Sequence, residues 1–450
     1  HALLARHWHV LGNDREAANS FAGAAKQCAA RGDYVAAADA YTQALRHMRI
    51  GSKRWFDAAH ELRRCLRNLA GWARMIPVVE SMLAALDESR DRETARSLLW
   101  DLFYARLNNG ELESARAVAE RIGEASAALI VAYALNYAAR LEEARELLGT
   151  IEFDDLTDPE ARLRHLIASA AIGALYNPLE YALDRIDRAA EIATGVGLRG
   201  TVLCYDEGIE IAMRCGNLEA ARSYENRGAA VAAKTKGDVN DVKRRLDKDR
   251  IRIAMLAGDL AAARSLLYGL LDWRDFGRHN QSFFAGVGVQ IGMRTGDFAL
   301  VDAFFDPALL SAAIGAGDAE SAGLLLPGCA DVMLARGMAK ELQSLFERCA
   351  VARLIDPYLW IPQCVARHGT LECAEAAAQT ARDYLRGAVA PAALAHAAML
   401  RALVARRQNK HIAAGEAARE AALRFQRIGY RLSEAAALEL SGERGAASLL

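Results

Sequence analysis

Small and large apolar residues recur along the chain with the spacing of paired helices. At twelve points a short polar break, usually containing glycine, interrupts the apolar pattern, and most breaks lie about 40 residues apart. Alanine stands five positions after the break in nine of the twelve cases. Larger side chains follow one turn later, as with Tyr41 and Phe346, and small residues return after them, as with Ala44. Glycine turns the chain and the small residue lets a second helix lie close to the first, so each unit is predicted to be a helical hairpin.

The breaks repeat along the whole sequence. Their central residues are Gly12, Gly32, Gly71, Gly110, Ala139, Asn177, Gly216, Gly258, Gly296, Gly337, Gly369 and Asn409. One hairpin cannot bury its apolar face alone and must stack on its neighbours. Residues 1–450 are therefore predicted to form a single all-α solenoid of about eleven antiparallel hairpins without a β-sheet. We expect a bend or an irregular repeat near 120–180 and 340–370, where the spacing shortens.

One break carries a recognisable signature. It consists of Gly32, Asp33, Tyr34, Ala37, Tyr41 and Ala44. This resembles the tetratricopeptide repeat, although the family unit is about 34 residues long. The longer spacing resembles the superhelical sensor region of large bacterial transcriptional regulators of the maltose-activator and LuxR type. That resemblance implies a right-handed superhelix whose first helices line a concave face, with flanking ATPase and DNA-binding domains in a longer protein.

Charge and cysteine content exclude several classes of protein. The chain has 56 Lys and Arg against 57 Asp and Glu, so its net charge is −1. We therefore expect no direct nucleic-acid binding, which needs a basic surface. No long apolar stretch is free of charges, so no membrane span is predicted. The 8 cysteines form no C-x-x-C pair, which argues against a zinc site, and a reducing cytoplasm is the expected location.

Catalytic motifs are incomplete wherever they begin. The chain contains no Gly-Lys pair, so it has no P-loop. Residues 195–200 match G-x-G-x-x-G, but a helical stretch precedes them where a dinucleotide site needs a strand, so a linker between repeats is the favoured interpretation. His60 and Glu61 begin a zinc-protease motif that fails at Arg64. We expect no enzyme activity, no cofactor and no metal.

Candidate binding residues follow from the position of the first helices. The resemblance places inward-facing side chains about ten, six and two or three positions before each break. They are Trp100, Tyr104, Asn108, Tyr133, Asn136, Asp206, Glu210, Arg214, Lys248, Arg252, Gln290 and Arg294. The series runs from aromatic to acidic to basic, which suits a polar small molecule or an extended peptide. We expect Asp206, Glu210, Lys248 and Arg252 to be solvated. The alternative for Trp100 and Tyr104 is that they pack between neighbouring repeats.

Two functions remain open from sequence. The leading interpretation is a non-catalytic sensor or interaction module of a larger bacterial signal-transducing regulator, with a protein or small-molecule effector in the groove. The alternative is a stand-alone tetratricopeptide adaptor or chaperone that binds a peptide segment of a partner. An enzyme built on a helical solenoid is the weakest interpretation, since no motif supports it.

Overall fold

The chain divides into two compact units. The computed structural model describes residues 2–69, 71–196, 198–234, 240–270, 273 and 278–442. Unit 1 comprises His1–Ala127 with Arg274–His279, and unit 2 comprises Ala128–Trp273 with Asn280–Leu450. Across the described residues every regular element is helical, which confirms the all-α prediction. The expectation of one domain over residues 1–450 stays a prediction.

Unit 1 contains the first three hairpins. Its helices are α1 (Ala2–Val10), α2 (Asp14–Ala30), α3 (Tyr34–Arg46), α4 (Lys53–Asn68), α5 (Trp72–Ala84), α6 (Arg92–Asn108), α7 (Leu112–Ile122) and the first residues of α8 (Ala125–Tyr137). The hairpins are α2–α3, α4–α5 and α6–α7, and α1 precedes them.

Unit 2 holds the rest of α8 and the remaining hairpins. Its further helices are α9 (Leu141–Gly149), α10 (Pro159–Gly173), α11 (Leu179–Val196), α12 (Leu198–Cys215), α13 (Leu218–Lys234), α14 (Asn240–Ala257), α15 (Leu260–Tyr268), α16 (Arg278–Thr295), α17 (Phe298–Phe304), α18 (Pro307–Gly315), α19 (Ala319–Ala335), α20 (Ala339–Val351), α21 (Trp360–His368), α22 (Leu371–Tyr384), α23 (Pro391–Arg407), α24 (His411–Arg427) and α25 (Arg431–Ser441). The pairs from α8–α9 to α23–α24, with α18 and α25 as extra helices, bring the total to the predicted eleven hairpins in the described parts of the chain.

The breaks between paired helices adopt the predicted left-handed backbone. Nine of the twelve central residues have positive φ, including Ala139 and Asn409, each with φ of 59°. Gly71, Asn177 and Gly369 are the exceptions. The turn geometry therefore persists even where the residue is not glycine, because the two helices on either side hold it.

Close helix packing follows from the small residues after each break. The nine alanines at this position are no more than 4% exposed: Ala17, Ala37, Ala115, Ala144, Ala182, Ala221, Ala263, Ala374 and Ala414. Neighbouring hairpins approach just as closely. A Cβ atom added to Gly286 on α16 would lie 2.1 Å from the Leu324 carbonyl oxygen on α19. The sequence pattern thus predicts the close packing at these nine breaks correctly.

The G-x-G-x-x-G match joins two helices. Helix α11 ends at Val196 and α12 begins at Leu198, while Gly197 lies outside the described residues. No strand precedes the motif among the described residues, so the linker interpretation is the one that the fold supports.

Within unit 2 the middle hairpins contact the last hairpins. The Tyr430 hydroxyl, between α24 and α25, donates to the Met213 carbonyl of α12. The Val389 amide donates over 2.9 Å to the Leu175 carbonyl, which lies between α10 and α11. Helices α23 and α25 also pack on α12 and α14. Helices of the middle and the last hairpins of unit 2 are therefore packed against one another.

Candidate functional site

An ion pair between α12 and α14 is buried together with a tyrosine. Arg252 Nη1 donates to Glu210 Oε2, and the two side chains are 5% and 11% exposed. The Tyr358 hydroxyl donates to the other Glu210 oxygen over 3.0 Å. The Arg252 guanidinium lies 4.9 Å from the centre of the Tyr358 ring, close enough for a cation–π contact. Both charges thus have partners, as burial requires.

A second ionic group lies one turn earlier on the same two helices. Lys248 Nζ is 3.4 Å from Asp206 Oδ1, and Arg245 Nη1 is 3.3 Å from Asp206 Oδ2. Burial acts to raise the pKa of Asp206, but these two positive charges outweigh it and lower that pKa to about 2. Burial and the Asp206 charge raise the pKa of Asp249 well above its ordinary value. At neutral pH Asp206 is therefore ionised.

Two tyrosines of α8 meet a glutamate of α12. The hydroxyls of Tyr133 and Tyr137 both donate to the Glu207 carboxyl group, the second over 3.0 Å. Burial is the main cause that raises the pKa of Glu207 to about 8. Near neutral pH this carboxyl group is largely protonated, because burial outweighs the Tyr133 hydrogen bond and the Arg214 charge, which both act to lower its pKa.

These contacts form one buried ionic network. We use this name for Tyr133, Tyr137, Asp206, Glu207, Glu210, Lys248, Asp249, Arg252 and Tyr358. The expectation that its predicted members are solvated is wrong. Glu210 and Arg252 are buried, and the side chains of Asp206 and Lys248 are only 13% and 14% exposed. The reason is the cover that α23, α25 and the segment before α21 provide over α12 and α14.

Two other predicted groove residues are also buried. Arg214 lies on α12, with its guanidinium 5.6 Å from the centre of the Tyr137 ring. Asn136 on α8 is fully buried, and its amide has no hydrogen-bond partner within the part of the chain that the structure describes. Neither side chain is the solvent-facing contact that a groove residue provides.

A buried aspartate positions the aromatic residues that begin α21. The Asp356 carboxylate accepts the backbone amides of Tyr358 and Ile361 over 3.0 and 2.7 Å. The bond to Ile361 satisfies an amide in the first turn of α21, whose own N-cap residue, Leu359, makes no side-chain cap bond. The Tyr358 ring stacks on the Trp360 ring, with centres 4.7 Å apart and an angle of 17°. The Tyr358 ring of this pair contacts the ion pair, and the Trp360 ring lines a neighbouring cavity.

The inner cavity is a space of about 140 Å³ beside the network. Helices α14, α16, α19, α21, α23, α24 and α25 of unit 2 all contribute side chains to its wall. Its polar residues are Gln290, Arg294, Asp331, Gln363, Arg367, His368, His396 and Ser433. Two of the predicted groove residues, Gln290 and Arg294, are thus brought together here.

The polar residues of the cavity differ in how much of each side chain is exposed to solvent. Arg294, Asp331 and Arg367 are exposed and therefore mark the mouth. His396 is 2% exposed and marks the closed end. Its Nδ1 atom lies 2.9 Å from the Gln363 amide nitrogen. Burial lowers the pKa of His396 to about 3, so the imidazole is neutral.

The predicted aromatic residues of unit 1 have a different environment. Trp100 and Tyr104 are half-buried on α6, with ring centres 5.7 Å apart at 28°, and Asn108 is exposed. Trp100 Nε1 lies 3.4 Å from Glu124 Oε1. These residues retain accessible surface and also pack on their neighbours.

The spacing before each break also marks several cavity residues that are not among the predicted groove residues. Positions six and two before Gly369 are Gln363 and Arg367, and position six before Gly337 is Asp331. All three line the cavity. Applying the spacing to every break would have found them. Glu207 and Tyr358 lie off that register, and no sequence pattern indicates them.

Neither metal ligands nor a single membrane span emerge from the described residues. No group of three histidine, cysteine or carboxylate side chains comes together there in a way that fits a metal ion. No individual described helix has the length and apolar character to cross a membrane, although α17 and α18 meet both criteria as a pair bent by 43°.

Comparison with known proteins gives similarity in architecture only. No family model matches the sequence. No curated protein matches it either. The crystal structure of the APC/C hetero-tetramer Cut9-Hcn1 is similar over 97% of this chain and 82% of that chain, with 13% identity and a TM-score of 0.47. The crystal structure of the yeast Tom70 is similar over 94% of this chain and 96% of that chain, with 12% identity and a TM-score of 0.30. The structure of Naa15/Naa10 bound to HypK-THB is similar over 97% of this chain and 75% of that chain, with 14% identity and a TM-score of 0.27.

Proposed function

We propose that unit 2 is a non-catalytic sensor that binds a small molecule in the inner cavity. The observation that carries this proposal is the cavity itself, which seven helices from α14 to α25 surround. An occupant would contact hairpins that are far apart in sequence. It would therefore stabilise the arrangement in which the last hairpins cover α12 and α14, as a ligand that prefers one state does.

The proposed context is a larger cytoplasmic bacterial regulator. In it, a change of closure in unit 2 would be passed to an ATPase or a DNA-binding module. The repeat spacing near 40 residues supports this proposal through its resemblance to such sensor regions. The full-length gene tests it: we expect a P-loop upstream and a helix-turn-helix downstream, and a gene that encodes neither contradicts the proposal.

A cavity-filling variant tests the sensor function. Ala436 on α25 lines the cavity, so the ring of Ala436→Phe would occupy it. We expect thermal unfolding to find small organic acids or sugars that stabilise the natural protein but not this variant. Ala413→Phe, at an exposed position of α24, is the matched control and should respond like the natural protein. Equal stabilisation of Ala436→Phe, or no stabilising compound, contradicts the proposal.

A peptide adaptor is the second candidate, and unit 1 favours it. The stacked rings of Trp100 and Tyr104 keep accessible surface on an inner helix, where an extended peptide could lie across them. Binding to a peptide array that Trp100→Ala abolishes and Ala436→Phe leaves intact would support it. Array binding that Trp100→Ala leaves unchanged would contradict it.

A further inference from the structure

The mouth of the inner cavity presents two arginines of like charge. Arg294 on α16 and Arg367 on α21 both line the cavity, and the Arg367 charge acts on Arg294. Neither arginine forms an ion pair with any other residue in the described ranges. Asp331 and Glu439 lie within electrostatic reach, but Asp331 Oδ1 is already 3.5 Å from His368 Nε2. A bound anion would relieve the repulsion between the guanidinium groups, which are suited to carboxylate oxygens.

Apolar side chains in the wall of the cavity fit a flat ring. Trp360 supplies an indole, Phe425 a second ring, and Met293 and Met399 supply thioethers, which contact aromatic rings favourably. The volume of about 140 Å³ is close to the roughly 150 Å³ of an engineered cavity in another protein that holds benzene. The space is therefore large enough for one six-membered ring.

The closed end presents one hydrogen-bond donor. The Gln363 amide nitrogen can only donate, so His396 Nδ1 accepts from it and the imidazole proton lies on Nε2. This Nε2 atom has no hydrogen-bond partner among the described residues, and the side chain is buried. A buried donor without an acceptor is costly, so a ligand that supplies an acceptor oxygen there gains free energy.

We propose that the inner cavity binds a single-ring organic acid. Its carboxylate lies between Arg294 and Arg367 at the mouth, and its ring lies against Trp360. An oxygen on the opposite side of the ring accepts a hydrogen bond from His396 Nε2. This assignment rests on the proposed function, because the same cavity holds the effector.

Titration calorimetry on the whole chain tests the assignment with four probes: benzoate, benzamide, 4-hydroxybenzoate and inorganic phosphate. We expect benzoate to bind at least about tenfold more tightly than benzamide, because only benzoate carries the charge that the arginines bind. We expect 4-hydroxybenzoate to bind more tightly still, by up to about tenfold, because its hydroxyl reaches His396. Phosphate alone should bind weakly, since it leaves the apolar walls empty.

Three variants assign the contacts. Arg294→Gln combined with Arg367→Gln should weaken benzoate at least about tenfold. Arg419→Gln, an exposed arginine of α24 outside the cavity, is the matched control and should leave binding unchanged. His396→Phe should remove the preference for 4-hydroxybenzoate over benzoate while benzoate itself still binds. A thermal melt confirms that each variant is folded.

The outcomes separate this inference from the proposed function. Equal binding of benzamide and benzoate, binding of phosphate as tight as that of benzoate, or no binding of either ring acid overturns the organic acid. If another compound stabilises the natural protein and not Ala436→Phe, the sensor function stands while the organic acid fails. If Ala436→Phe binds benzoate as well as the natural protein does, the cavity is not the site and both proposals fail.

Discussion

Equivalent positions on the inner helices of the two units have opposite surroundings. In unit 1 the positions ten, six and two before Gly110 are Trp100, Tyr104 and Asn108, which keep accessible surface. In unit 2 the same positions before Gly216 are Asp206, Glu210 and Arg214, which are largely buried. The repeat therefore sets which side chains point inward, whereas contacts from distant hairpins decide whether water reaches them.

The polar contacts differ between the two units as well. In unit 1, Arg63 and Arg67 of α4 both pair with Asp101 of α6 on the adjacent hairpin, and the Arg67 side chain is 51% exposed. In unit 2, Glu210 bonds to Tyr358, which is 148 residues away in the chain. Neighbouring hairpins meet in every solenoid, but the second kind of contact requires that hairpins far apart in the chain also meet.

Breaking the buried ion pair should have the largest effect. Arg252→Met leaves the Glu210 charge buried and uncompensated, so the free energy of unfolding should fall by about 3–5 kcal/mol. Urea unfolding measures this. Arg67→Met in unit 1 is the control and should cost about 1 kcal/mol or less, because Arg63 still pairs with Asp101 and the Arg67 side chain itself is half exposed. Equal costs for the two variants would contradict the difference between the units.

The pH dependence of stability should locate Glu207 in the closed part of unit 2. Its folded pKa of about 8 lies above the ordinary value of 4.5, so the unfolded chain releases this proton first. Stability should fall as pH rises from about 4.5 to 8 and level off above that, by up to about 5 kcal/mol for this group. Glu207→Gln should lose less stability than the natural protein between pH 5 and 8.5. Identical pH profiles by thermal melting would show that Glu207 is solvated.

Overpacking one hairpin should have a smaller, local effect. Ala263 is fully buried five positions after Gly258, so Ala263→Leu should destabilise the protein by about 1–3 kcal/mol. Ala261→Leu, on the exposed side of α15, is the matched control and should change stability by less than about 0.5 kcal/mol. Urea unfolding of the pair checks the repeat register independently of the network, and equal costs would mean that the register is wrong.

The smallest effect should come from the exposed inner position of unit 1. Asn108 donates only to the Tyr104 carbonyl of its own helix, over 2.7 Å. Asn108→Ala should therefore change the free energy of unfolding by no more than about 0.5 kcal/mol. A loss above 2 kcal/mol in urea unfolding would show that this face is covered as in unit 2.

The sequence predicts what local spacing controls. The small residues after each break, such as Ala263, and the left-handed turns, such as Ala139, depend on two adjacent helices, and both predictions are confirmed. The burial of Glu210 depends on Tyr358, and small rotations summed over several hairpins place that residue. No local sequence pattern contains the sum of these rotations. The sequence therefore predicts a solvated groove at positions that belong to the buried ionic network. Binding by the predicted groove residues stays a prediction.

The hydrogen bond from Tyr430 to Met213 joins residues 217 positions apart and has a consequence for the order of folding. An open solenoid folds and unfolds hairpin by hairpin, because each unit depends only on its neighbours. A contact of such long range must wait until the hairpins between the two residues are in place, and it pays the entropy of closing that loop. Unit 2 should therefore gain its cavity in the last step of folding and lose it in the first step of unfolding, when α25 separates from α12 and α14.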